Sequence, residues 1–377
     1  MKTVHLVFKT HFGDYRNYTV RDLARARRRD AVPGDGGPEA CREFAVFTLH
    51  APFPQRYSMF ESSWDEQRGY VRSAIRALKG TPLAAQAARE LRDIRSARPS
   101  LKGFVPVRGK GPFAAGDFQI EFDRRTGALI RLQPPGAGSS LCTARNPLGL
   151  FRYQTLSQGD FNRRLREYAV NLDRNATWAI PDLTKPGMDL ARPRPRHAFH
   201  PPAGADLYVR RGRAGDTVLA VLSLPGAGCR AVGAPREVVL QYTFRRGEAA
   251  FRIDVFWAGK PATRLPEAIW FSFQPRLGRP QDWRIEKMGE WFSPLEVVEC
   301  GNRNLHAVGS RIQNGGFSVE TLDAPLVAPG RPRLLEFDNA QPDLSGGMHV
   351  NLYNNVWGTN FPMWSEGNAH FRFIVRT

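Results

Sequence analysis

Near residue 113 the spacing of apolar residues changes from a helical to a two-residue period, and no other feature limits the fold of this chain as strongly. Side chains alternate across a strand but recur every three to four residues on one helix face, so a change of period marks a change of architecture. Before the change, Trp64, Val71, Ala74, Ile75 and Leu78 repeat at helical spacing behind Ser63-x-x-Glu66. In that arrangement the serine and the glutamate satisfy each other's backbone N–H groups, and Gly80 then ends the run. Thr81-Pro82 opens a second helix with the stripe Leu83, Ala87, Leu91 and Ile94, closed by Pro99. Two less regular helices are expected over 20–31 and 38–49, split by Pro33-Gly34-Asp35-Gly36-Gly37, and a short strand is expected at 4–8. Residues 15–105 therefore read as a small helical bundle.

After the change, Phe118, Ile120 and Phe122 alternate with Gln119 and Glu121, and Arg124-Arg125-Thr126-Gly127 turns the chain into a partner strand. Runs at 238–244 and 249–257 form a second hairpin around Arg245-Arg246-Gly247-Glu248. Further strands are expected at 217–224, 268–273, 305–308, 317–321, 334–337 and 369–376. Roughly ten strands without intervening helices predict a large antiparallel β-sandwich over 106–377. The long loop 177–202 is of a size that in a compact domain usually carries contacts.

Composition narrows the function. Four cysteines at 41, 142, 229 and 300 include no CxxC pair, which argues against a zinc knuckle or a disulfide framework. No apolar run approaches the ~18 residues of a membrane helix. The apolar stretch 4–8 is too short for a secretory leader, so the chain reads as cytoplasmic. The net charge of +18 invites a nucleic-acid partner. The basic residues are scattered along the whole length, whereas a phosphate-tracking surface gathers them on one face. No specific nucleic-acid binding is expected.

The segment Gly346 to Trp364 packs four Asn, one His, one Tyr and two Trp into a stretch almost free of charge. Amides offer donors and acceptors together, and aromatic faces stack on apolar surfaces, a mixture suited to an uncharged polyhydroxylated ligand such as a sugar. On this reading His349, Asn351, Tyr353, Asn354, Asn355, Trp357, Asn360 and Trp364 form the carbohydrate contacts. The same residues also fit a strand feeding a tight loop, with the amides tying down backbone groups and the Trp residues in the core.

Several longer phrases carry a family resemblance. Asn146-Pro147-Leu148-Gly149-Leu150-Phe151-Arg152-Tyr153-Gln154, Trp178-Ala179-Ile180-Pro181-Asp182 with Lys185-Pro186-Gly187-Met188, Glu320-Thr321-Leu322-Asp323-Ala324-Pro325-Leu326 and the stretch 345–364 resemble the C-terminal region of the family carrying domain of unknown function 5054, a relative of the glycoside hydrolase family 38 α-mannosidases. Ser63 to Tyr70 resembles its helical middle domain, and Val4 to Phe12 its first strand. The resemblance implies an N-terminal α/β barrel holding a divalent metal such as zinc and the nucleophile, then a helical bundle, then a galactose-mutarotase-like β-sandwich.

The chain departs from that pattern at its start. Residues 1–14 look like a remnant of the first barrel strand, and the helical domain follows at once, leaving most of the catalytic barrel without a counterpart. The family strand ends in His-x-Asp, two metal ligands. Here His11 matches the histidine, Gly13 stands at the aspartate position, and Asp14 is one residue out of step, which turns its side chain to the other face. His11 is thus a remnant metal ligand, and no cofactor is expected to be held. Hydrolysis of a glycoside needs two carboxyl groups facing one bond. Asp182, Asp189, Glu320 and Asp323 are candidates by neighbourhood alone, and no catalytic residue is assigned. His197-x-x-His200 could clip a metal within its Pro-rich loop, but no carboxylate is spaced to complete a site. The expected function is an α-mannosidase-like family member that is at most a weak carbohydrate-binding module. The alternative is a structural or interaction sandwich that binds no sugar. The expected partners are a carbohydrate and a second copy, meeting through the former barrel-docking face with Trp178, Phe199 and Trp364.

Overall fold

The computed structural model describes residues 69–377 apart from 94–95, 175–179, 181–182, 186, 193, 227–228, 230–231 and 357–363. The strand at 4–8, the helices at 20–31 and 38–49, Ser63, His11, Trp178, Trp357 and Asn360 lie outside the described residues. Helical segments at 69–77 and Pro82–Asp93 stand where the 3.6-residue spacing puts them.

Nineteen strands follow among the described residues. The first seven are β1 (Val105–Pro106), β2 (Phe113–Ala115), β3 (Phe118–Phe122), β4 (Leu129–Gln133), β5 (Leu148–Thr155), β6 (Ala198–His200) and β7 (Gly204–Arg210). Next come β8 (Gly215–Ser223), β9 (Glu237–Arg245), β10 (Ala250–Lys260), β11 (Glu267–Phe273), β12 (Arg284–Lys287) and β13 (Glu290–Phe292). The last are β14 (His306–Ala307), β15 (Arg311–Asn314), β16 (Phe317–Thr321), β17 (Leu326–Pro329), β18 (Met348–Asn354) and β19 (Gly367–Arg376). Ten of them form one sheet in the order β1-β7-β8-β9-β10-β19-β16-β15-β12-β13. The other nine form a second sheet, β14-β17-β18-β11-β5-β4-β3-β2, with β6 paired to β5. Every strand pair is antiparallel, so the sandwich predicted from the two-residue period is the fold observed. β1 pairs with β7 at the edge of the ten-stranded sheet.

The two sheets pack face to face through aromatic layers. Phe118 lies against Phe244 with ring centroids 5.5 Å apart, Phe122 meets Tyr242 edge-on at 4.9 Å, and Phe373 reaches Phe271 at 5.2 Å and Phe273 at 5.5 Å. Such tilted and edge-on pairs are favoured by the ring quadrupole and add to the stabilisation from burial. Gly149 is needed at its place in β5. It has φ +74°, and a Cβ there would stand 2.7 Å from the Tyr242 hydroxyl and 3.1 Å from the Phe271 ring.

Two expectations fail. The helix Gln158–Tyr168 intervenes between β5 and β6, started by the reciprocal cap of Ser157 and Asp160. Residues 334–337 are no strand: they pair with no described strand and run as a loop whose Leu334 and Leu335 pack into two different apolar clusters. With Phe199 and Leu305, Leu334 covers Ala268, Trp270 and Ala328 on the outer side of the nine-stranded sheet, while Leu335 packs with Leu156, Phe161, Met188 and Val356.

Candidate functional site at one end of the sandwich

β5, β10, β11 and β18 all start or finish at the same end of the molecule, because β11 runs antiparallel to both β5 and β18. Glu267 begins β11 and pairs with Thr155 at the end of β5, while Ala268 pairs with Asn354 at the end of β18. Lys260 closes β10 in the opposite sheet. The sequence-predicted contacts and most of the unusual chemistry of the chain gather here.

The described members of the predicted sugar site are engaged with the protein itself. Between Ile269 and Trp270 the register with β18 slips, so that Ile269 pairs with Tyr353 and Trp270 with Asn351, leaving Leu352 as the extra residue. The Asn351 amide sits in that bulge and donates to the carbonyls of Ile269 (3.3 Å) and Tyr353 (3.2 Å). Asn354 donates to Asn351 Oδ1 at 2.8 Å. Asn355 donates to the carbonyls of Thr263 and Leu265, both at 3.0 Å, and accepts from the Glu267 N–H at 2.8 Å. His349, Asn351, Tyr353, Asn354 and Asn355 are all buried, and Trp364 alone of the described set is half-buried. The amides therefore fasten β18 and the 261–266 turn to β11.

Beneath them lies a buried charged cluster. Lys260 Nζ pairs with Glu267 Oε1 and also donates to the carbonyls of Ser365 (3.0 Å) and Pro261 (3.1 Å). Tyr153 Oη lies 2.7 Å from Glu267 Oε2 and 2.9 Å from the Val232 carbonyl. Lys185, wholly buried, donates to the Arg264 carbonyl at 3.0 Å and adds its field to that at Glu267. Desolvation pushes the Glu267 carboxyl up, against the pull of Lys260, Tyr153 and Lys185. Gly233, at φ +110°, leaves room for this group, since a Cβ there would meet Glu267 Oε2 at 2.9 Å. With no solvent exposure at Glu267, the cluster ties the two sheets together and offers no surface to a ligand.

Beside it the surface opens. Asp160, buried at the start of the helix Gln158–Tyr168, accepts from Ser157 N (2.7 Å) and Oγ (2.8 Å), from Arg163 (3.1 Å) and from His197 Nδ1 (3.0 Å). Burial raises its pKa, but these donors outweigh burial and hold it below the usual carboxylate range. The His197 side chain is 40% exposed and lies edge-on to Phe199 at 5.6 Å. A carboxylate that fixes Nδ1 leaves Nε2 to face outward as a hydrogen-bonding group. Val356, where the described part of β18's exit ends, packs with Phe161, Leu156, Met188 and Leu335 beneath this helix. His200 turns to Thr155 Oγ1 at 3.3 Å, so His197 and His200 face different partners and form no metal clip. Burial pushes His200 below the usual imidazole range.

Among the described residues no three His, Cys, Asp or Glu converge as a metal would require, and His11 lies outside them. The candidates picked by neighbourhood do not converge either. Asp323 is taken by Arg372 through a two-point contact at 2.7 and 2.8 Å, Glu320 pairs with Arg376 at 3.1 Å, and Asp182 is outside the described residues. Asp189 lies in the short helical turn Met188–Leu190. Sequence reasoning missed Asp160 altogether. Its one signal was the Ser157-x-x-Asp160 spacing ahead of an apolar Phe161.

The fold thus defines a large two-sheet antiparallel sandwich with a polar end. The model of the family described as domain of unknown function 5054 matches residues 3–252, and the chain belongs to that family. No curated protein matches it. Among solved structures, an alpha-mannosidase from Enterococcus faecalis V583 is similar over 74% of this chain at 8% identity and TM-score 0.44, and the chain spans 30% of its length. Galactose 1-epimerase from Lactobacillus acidophilus NCFM is similar over 72% of this chain and 97% of its own, at 7% identity and TM-score 0.35. A putative aldose 1-epimerase from Escherichia coli K12 is similar over 73% and 99%, at 11% identity and TM-score 0.33. No described helix is long and apolar enough to cross a membrane.

Proposed function

We propose that this chain is a carbohydrate-related β-sandwich module that binds a sugar weakly and does not itself hydrolyse it. The observation carrying this reading is the surface formed by the half-exposed His197 against Phe199, beside the Asp160–Arg163 ion pair. It joins an aromatic face for a pyranose ring to donors and acceptors already fixed in place, so little ordering is lost on binding. Trp364 and the sequence-predicted Trp357 and Asn360 remain proposed sugar contacts in this reading. Buried Asn351, Asn354 and Asn355 hold the strand from which that segment leaves. The absence of hydrolysis rests on the acids of the described sandwich: Asp160, Asp254, Glu267 and Asp323 are each bound by Arg, Lys or His, which leaves no free carboxyl pair among them. No metal has a part in the reading.

Titration with mannose and α-linked disaccharides, followed by Trp fluorescence or NMR, tests it. The expected Kd is in the millimolar range, about −4 kcal/mol. His197→Ala and Trp364→Ala each weaken it without unfolding the protein, and aryl α-mannosides are not turned over. No response of the intact chain at high millimolar sugar overturns the reading.

A second reading, an interaction module, is favoured by the exposed apolar residues Tyr168 (50%), Val170 (79%) and Ile180 (41%). In that case the partner is a second copy, and sedimentation shows a concentration-dependent dimer that Val170→Lys abolishes.

A further inference from the structure

Arg152 stands on β5 opposite Trp270, under the loops that cover the outer side of the nine-stranded sheet. Its Nη2 donates to Ser272 Oγ at 2.7 Å and approaches His349 Nδ1 at 3.1 Å. The directions in this group can be read from one end. The Gly330 carbonyl, which can only accept, lies 3.1 Å from His349 Nε2, so Nε2 carries the hydrogen and Nδ1 is the acceptor. Ser272 Oγ at 2.8 Å and Arg152 both turn toward that acceptor. His349 is wholly buried, and desolvation together with Arg152 pushes its pKa down to about 3, so the ring is neutral.

None of these partners carries negative charge. No carboxylate pairs with Arg152 among the described residues, its Nε is buried without a hydrogen-bond partner, and burial lowers its pKa to about 10. The Phe199 ring lies 5.5 Å from the guanidinium carbon. Two other guanidinium groups, one half-buried and one buried, are held differently. Arg252 grips Asp254 with two bonds of 2.7 and 2.8 Å, and Arg372 grips Asp323 in the same way. An uncompensated cation in low dielectric is costly, whereas its planar fork matches an oxyanion with two parallel bonds.

We propose that Arg152 is the anchor of an oxyanion subsite, which takes the carboxylate of an acidic sugar or a phosphate group, with Phe199 against the body of the ligand. Ser272 and His349 are positioning residues that hold the fork while contributing no charge. His197 and Arg152 flank the same Phe199, so the subsite extends the carbohydrate reading to an anionic sugar. Only the sugar part of the proposal rests on that reading.

Thermal unfolding of the whole chain at constant ionic strength, with chloride as the balancing salt, is the test. Inorganic phosphate, glucuronate and glucose are compared for the wild type, Arg152→Gln and Arg152→Lys. The expected result is a rise in Tm of about 3–6 °C at about 50 mM of an oxyanion ligand, absent with chloride and abolished in Arg152→Gln. Arg152→Lys, which keeps the charge and loses the fork, retains less than half the shift. Without ligand, Arg152→Gln unfolds at the same temperature as the wild type or higher, since an unpaired cation has been removed. A larger shift with glucuronate than with phosphate identifies a carboxylated sugar, and the reverse identifies a phosphate. Phosphate binding with no response to any sugar keeps the subsite and overturns the carbohydrate reading alone. Absence of an oxyanion-specific shift in the wild type, or an equal shift in Arg152→Gln from the many other basic residues, sinks the proposal.

Discussion

Between the sheets the sandwich is filled by rings such as Phe271, Phe273 and Phe373, whereas at the end where β5, β10, β11 and β18 meet it is filled by Glu267, Lys260, Lys185 and Tyr153. Both regions are fully buried. The first is held by removal of apolar surface from water, which is non-directional and tolerant of partial repacking. The second is held by charges that stabilise only while every partner is present. Aromatic filling therefore supplies most of the stability, and the charged end fixes how the two sheets terminate against each other.

The sharpest test of that contrast is to damage each region once. Phe373→Ala should cost about 3–5 kcal/mol, as a large cavity opens beside the Phe271 and Phe273 rings. Lys260→Met should cost a comparable amount, about 3–5 kcal/mol, because it strands the Glu267 carboxylate in the interior. The two then separate on repair. Lys260→Met with Glu267→Gln should be more stable than Lys260→Met alone, because no unpaired charge remains, and urea unfolding of the three variants measures it. A double variant no better than the single would mean that the charged end behaves like ordinary core.

A smaller loss, about 3 kcal/mol, is expected for Asn355→Ala, which strips partners from the Thr263 and Leu265 carbonyls and the Glu267 N–H. If sugar binding falls while denaturant unfolding is unchanged, Asn355 belongs to the ligand surface and not to the strand's anchorage.

The smallest effect is a pH dependence. The folded pKa of His349, about 3, lies below the 6.5 of an exposed imidazole. Between these values the unfolded chain binds a proton that the folded chain excludes, so stability is lost as pH falls through that window. From pH 7 to pH 5 this amounts to about 2 kcal/mol for this one group. His306, lowered to about 4 by burial and by Lys287, adds a loss of the same sign. Chemical denaturation at the two pH values should show the drop, and His349→Gln should lose its share of it.

The same contrast governs what the sequence reveals. Phe118, Ile120 and Phe122 are buried while Gln119 and Glu121 are not, so alternation located β3 directly. β11 is buried at every position, and its bounds could be read only as an apolar run. The charged cluster at the polar end left no local trace. Lys260 and Glu267 are seven residues apart, but Tyr153 comes from 114 residues away and His197 meets Asp160 across 37. The amides of β18 stood out in sequence, yet residue type alone does not tell whether an amide faces a ligand or its own backbone. The bulge at Leu352 directs the Asn351 amide to the carbonyls of Ile269 and Tyr353, and no pattern announces a bulge.

β19 lies between β10 and β16, in the interior of the ten-stranded sheet, although it comes later in the sequence than every other described strand. During synthesis the sheet must wait for residues 367–376. Until they emerge, β10 offers an unpaired edge of eleven residues, rich in Phe, Ile, Val and Trp. Long apolar edges of this kind recruit other chains, and partners far apart in sequence find each other slowly. The interval before β19 inserts is therefore when a nascent copy is most open to aggregation and to capture by chaperones, however stable the finished sandwich is.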